Sequence, residues 1–104
     1  MRKNKYQKTV HKWVSQYKDG YWDPFKILAR LFEEGGELSR EINHKYGPKK
    51  KKPGEKAGSI EEEIGDILFT IICMANSQNI DIDKAFEYAM HKAYNRDANR
   101  FEKL

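Results

Sequence analysis

Two pairs of acidic residues, Glu34/Glu37 and Glu63/Asp66, are each spaced three residues apart inside segments with a helical apolar rhythm. Residues i and i+3 share one face of an α-helix, so each pair projects to one side. Two such helices packed together aim four carboxylates at one small volume. Crowded acids repel one another and resist leaving water unless a cation neutralises them. Hard oxygen ligands suit Mg²⁺ or Mn²⁺ rather than Zn²⁺. The pattern therefore predicts an all-α protein with a divalent-metal site between two helices, its ligands Glu34, Glu37, Glu63 and Asp66.

The periodicity predicts four helices. Tyr6, Val10, Trp13, Val14 and Tyr17 form the stripe of a first helix ending near Asp19-Gly20, with His11 off that stripe and in solvent. Asp23 caps a second helix from about Pro24 to Asn43, Pro24 standing where its missing N–H costs nothing. Its apolar face is Ile27, Leu28, Leu31, Phe32, Leu38 and Ile42, and Glu34, Glu37 and Glu41 flank it. Arg30 can pair with Glu34 one turn on, and Glu33 points further round. Gly35 and Gly36 break helical propensity in mid-helix, which calls for close helix approach or room for a ligand. Ser59 with Glu62 forms a capping box that opens a third helix. That helix is apolar nearly all round apart from a stripe of Glu63, Asp66, Thr70 and Ser77. Phe69 and Ile72 face away from its Ile60–Ile64–Ile71 side, which predicts a partner subunit there. Asp81 caps a fourth helix, whose inward face is Ile82, Ala85, Phe86, Ala89, Met90 and Ala93. Lys92, Arg96 and Arg100 edge that face and want anions, either the carboxylates or a ligand's phosphates.

Length and charge narrow the function. A chain of 104 residues makes one domain, 1–104, and its 38% hydrophobic content leaves an economical core. Chains this short often bury further surface by oligomerising. The single Cys73 lies in an apolar run and reads as a core thiol in a reducing compartment. No apolar stretch spans a bilayer and the start leads into no signal-type segment, so the expectation is a cytoplasmic protein without a membrane partner. The net charge of +4 belongs to one loop, 44–58, where Pro48 to Lys56 holds five lysines and one glutamate. Charge elsewhere balances, which argues against an extended basic face and a stable nucleic-acid complex. The lysine run reads as mobile and solvated, or else as an electrostatic funnel for polyphosphate.

The order Glu33-Glu34-x-x-Glu37, spacer, Glu63-x-x-Asp66 resembles the signature of the MazG-like all-α nucleoside triphosphate pyrophosphohydrolases, over about Tyr21 to Phe101. The resemblance implies a four-helix bundle-like protomer that forms a homodimer or a dimer of dimers through its helices. It implies the Mg²⁺-dependent reaction NTP + H₂O → NMP + PPi, in the service of nucleotide-pool house-cleaning. Glu33 or Glu37 would activate the water, and Lys92, Asn95, Arg96 and Arg100 would hold phosphates. Trp22 would stack on the nucleobase, against the alternative that Trp22 and Phe25 merely staple two helices. The rival class is a catalytically silent helical-bundle module for binding or assembly, which has no use for four converging acids.

Overall fold

A computed structural model describes residues 4–55 and 58–104, which form four helices and no strand among the described residues. They are α1 (Lys5–Val14), α2 (Pro24–Tyr46), α3 (Ile60–Ser77) and α4 (Ile82–Arg96). Each starts on a side chain that accepts from otherwise orphaned N–H groups: Asn4 from Gln7, Asp23 from Phe25 and Lys26, Ser59 from Glu62, and Asp81 from Asp83 and Lys84. α3 stops in a Schellman motif. Asn79 takes a left-handed φ of 56°, and the N–H groups of Asn79 and Ile80 bond back to the carbonyls of Asn76 and Ala75 at 3.1 and 2.8 Å.

α2 and α3 pack along their length, and α1 lies across α3. The core is small: Val10 and Val14 of α1 meet Ile72 of α3, with Tyr21, Cys73 and Ile82 against them. At about 1.5–3 kcal/mol per buried aliphatic side chain, three such residues hold α1 only modestly. A polar joint does the rest. Gln7 is fully buried, donating from Nε2 to Asn76 Oδ1 (2.9 Å) and the Ile80 carbonyl (2.8 Å) while Oε1 accepts from the Ile82 N–H (3.0 Å). One amide thus ties α1 to the end of α3 and the start of α4.

Several sequence expectations change. α1 ends at Val14 rather than near Gly20: Ser15 Oγ bonds the His11 carbonyl, two tighter turns follow, and Gly20 at φ +65° turns the chain toward α2. Tyr6, Trp13 and Tyr17 are exposed; His11 is exposed as expected, with Nδ1 2.9 Å from the Tyr21 hydroxyl. α2 runs three residues past Asn43, so loop 44–58 begins as helix. Lys51 is not loose: its Nζ lies 3.1 Å from buried Glu41 and 3.3 Å from the Gly58 carbonyl. Ile72 is buried under α1, and Phe69 packs edge-on against Trp13 at 5.6 Å, so α1 occupies the side of α3 that the pattern assigned to a partner. The open apolar stripe of α3 is instead Ile64, Leu68 and Ile71, and on α2 Phe25 (83% exposed) and Phe32 (75%) are open as well.

α4 has no buried residue: Ile82 at its start packs against the core, but further along Phe86 (65% exposed) and Met90 leave its apolar face open. The radius of gyration is 17.3 Å, against about 13 Å for a compact chain of this size. No described helix is long and apolar enough to cross a membrane.

The joint can be tested. Gln7→Ala leaves Asn76 Oδ1, the Ile80 carbonyl and the Ile82 N–H without their partner, and should cost ~3 kcal/mol or more in urea unfolding. A loss under about 1 kcal/mol would show that water takes over those bonds.

Candidate metal centre

Helical phase brings the two acid pairs together. Glu34 and Glu37 project from α2 toward α3, whose Glu63 and Asp66 project back, and one oxygen of each lies within 4.8 Å of the others. Glu34 is buried to 1% exposure, Glu63 is half-buried, and Glu37 and Asp66 reach solvent. Glu34 Oε2 and Glu63 Oε2 are both buried without any hydrogen-bond partner. Such oxygens are unfavourable when ionised unless a cation completes them. A spread of this size is close to the ~4.2 Å across an octahedral oxygen shell around Mg²⁺. The donor set, all carboxylate with two dry unpaired oxygens, fits a hard divalent cation.

Arg30 reaches Glu34 Oε1 at 2.7 Å and Glu33 Oε2 at 3.4 Å, as the i+4 spacing of Arg30 and Glu34 predicted. Burial is the main cause lifting the Glu34 pKa above the ordinary glutamate value; Arg30 opposes it, while Glu37 and Asp66 push the same way. Burial also leads in lifting Glu63, followed by hydrogen bonding to and repulsion from Glu37, then Asp66 and Glu34. Glu33 lies outside the four-acid group, exposed and bonded to Arg30. Glu41, on the same flank of α2, belongs to a separate cluster with Lys51 and His44. A Cβ on Gly35 or Gly36 would meet open space, so room rather than close approach explains the pair.

Beside the acids opens a cleft of about 630 Å³ that shares Glu34, Asp66 and Arg30 with them. Trp13, Tyr17, Tyr21, Trp22 and Phe69 line it, so Trp22 shares one cleft with Glu34 and Asp66. Trp13 and Tyr17 fit the α1 stripe and so suggest core, but Trp13 faces the cleft from within α1 and Tyr17 from just beyond its end. Cys73 also lines the cleft, its thiol pKa raised by burial. The remaining residues singled out by the sequence are elsewhere. Lys92 lies over the Tyr88 ring (5.2 Å), Asn95 bonds to His91, and Arg96 and Arg100 bond to Asp97. None of these four lines the cleft in the protomer.

The raised carboxylates fix a sign. Folding makes Glu63 bind its proton more tightly, so it favours the fold at low pH, and that contribution is lost as pH rises through its raised value. In chelator, Glu63→Gln should melt near the wild type at about pH 4 and increasingly above it toward about pH 7. A gap that stays constant across thermal melts in that range would contradict the strained cluster.

Residues 23–101 match the family model of the MazG nucleotide pyrophosphohydrolase domain. The chain is 48% identical over 95 residues to the uncharacterized protein YpjD of Bacillus subtilis (strain 168), covering 91% of this chain and 86% of that protein. The crystal structure of Bacillus subtilis YpjD superposes with a TM-score of 0.75 at 46% identity, over 88% of this chain and 97% of that one. A Bacillus-conserved MazG protein, described as a nucleotide pyrophosphohydrolase, gives the same TM-score and identity over 93% of this chain and 97% of its own.

Proposed function

This chain belongs to the MazG nucleotide pyrophosphohydrolase family, and we propose that it cleaves nucleoside triphosphates to the monophosphate and pyrophosphate with Mg²⁺ or Mn²⁺ on Glu34, Glu37, Glu63 and Asp66. The observation that carries the reading is the pair of dry, unpartnered oxygens on Glu34 and Glu63 at the mouth of an aromatic cleft. A silent bundle would leave those oxygens unsatisfied. The whole chain acts as one domain, and its task is removal of unwanted nucleotides from the pool.

When bound, the cation neutralises phosphate oxygens and stabilises the charge that builds at the α-phosphorus. The residues divide the remaining work. Arg30 holds Glu34 in one rotamer by its 2.7 Å bond. Glu37, inside the cluster yet open to solvent, is better placed than Glu33 to take the proton of the attacking water. Trp22 and its aromatic neighbours offer faces to the base. Lys92, Asn95 and Arg96 on α4, and Arg100 beyond its end, are exposed, and they meet phosphates once a second copy docks.

Assembly follows from the same surface. The exposed Ile64–Leu68–Ile71 stripe of α3 and the exposed Phe25 and Phe32 of α2 are apolar surface that a second copy would cover, as a dimer or a dimer of dimers. Light scattering should give at least twice the 12.3 kDa chain mass at micromolar concentration, and Leu68→Glu should yield monomer or insoluble chain. A wild-type mass near that of one chain would refute the arrangement.

The activity itself is tested by pyrophosphate release from a panel of nucleoside triphosphates, with and without metal. Mg²⁺ or Mn²⁺ should raise the wild-type melting temperature, because it binds the folded state alone. Glu63→Gln should blunt that shift and cut turnover by ~10²-fold or more. Full shift and full turnover in the variant would remove Glu63 from the site.

A further inference from the structure

Two backbone groups at the start of α4 dictate where the hydrogens lie along a chain of four side chains. The Ile80 carbonyl can only accept and the Ile82 N–H can only donate. Gln7 meets both, at 2.8 and 3.0 Å, so its amide has one allowed orientation. Its other Nε2 hydrogen points at Asn76 Oδ1 (2.9 Å), which fixes the Asn76 amide in turn. Asn76 Nδ2 then donates to the Gln7 carbonyl (3.0 Å) and to the Tyr21 hydroxyl (3.0 Å). Tyr21 Oη must accept that bond, which leaves its own hydrogen free for His11 Nδ1, 2.9 Å away. With the phenol donating, His11 keeps Nδ1 bare and carries its hydrogen on Nε2, the tautomer that the clamp proposed below requires. Gln7 and Asn76 are buried, so the first links are shielded from competing water.

The last links of this chain reach the cleft. Tyr21 is one of its walls, and its ring stacks on His11 with centroids 5.9 Å apart and planes 23° from parallel. We propose that Asn76 is a positioning residue for the cleft, acting through Tyr21: its amide hydrogen and His11 Nδ1 clamp the phenol so that the aromatic wall is set before ligand arrives. A preset wall spares the ordering cost on binding and leaves the acid cluster untouched. The role rests on the reading of the cleft as the nucleoside site.

Tyr21→Phe removes only the clamped oxygen. With the nucleoside triphosphate that the wild type turns over best, KM should rise ~3- to 10-fold, the loss that one hydrogen-bonded anchor carries, while kcat stays within about twofold. Asn76→Asp replaces the donor by an acceptor, draws the phenol hydrogen away from His11, and should raise KM in the same way. Nitrogen-15 NMR at about pH 8, where histidine is neutral, supplies a readout that needs no substrate. Wild-type His11 should be the Nε2–H tautomer, shifting toward a mixture in Tyr21→Phe. An Nδ1–H tautomer in the wild type, or an unchanged KM in Tyr21→Phe, overturns the proposal. A wild type that hydrolyses no nucleotide overturns the nucleoside reading and this role with it; a wild type that turns over, with an unmoved variant, overturns this role alone.

Discussion

Four carboxylates meeting at one point are the condition the rest of this structure has to satisfy. Repulsion among them grows as water is excluded, and Glu34 and Glu63 each keep one oxygen away from water and from every donor. Arg30 answers only part of that, taking the other oxygen of Glu34. The glycines beside the acids leave the space open rather than filling it with side chains. Charge, burial and room thus point together toward a bound cation and a ligand that shares it.

Holding two helices against such repulsion takes packing from elsewhere, and the protomer has little. Among the described residues its buried apolar side chains are five, Val10, Val14, Ile27, Ile72 and Ala75, reinforced by the Gln7–Asn76 joint. α4 and the outer stripe of α3 remain uncovered. An open protomer of this kind makes sense if assembly completes what one chain starts. The same assembly is the route by which cations on α4 would approach a site that they do not line within their own chain.

Much of this was legible because helices write their faces into the sequence. The i, i+3 acid pairs, the caps at Asp23, Ser59 and Asp81, and the Arg30–Glu34 spacing each follow from local geometry, and the structure repeats them. What periodicity does not carry is which neighbour a face meets. Ile72 and Phe69 read as partner-facing, but α1 folds back over them. Trp13 and Tyr17 read as core, but Trp13 on α1 and Tyr17 past its end at Val14 both wall the cleft instead. Gln7 gave no signal at all, since a glutamine on a lysine-rich helix looks solvated, and its burial depends on groups about 70 residues away in sequence. Glu41 looked like a further member of the acid row, yet the loop returns Lys51 to it and takes it out.

The central claim is that Glu34, Glu37, Glu63 and Asp66 form a divalent-metal site. A crystal soaked in Mn²⁺ and measured for anomalous scattering addresses it without relying on turnover. The account predicts a peak enclosed by those four carboxylates, bonded to the buried oxygens of Glu34 and Glu63. A well-ordered map with no peak there, or with manganese at Glu41 and His44 instead, would contradict it.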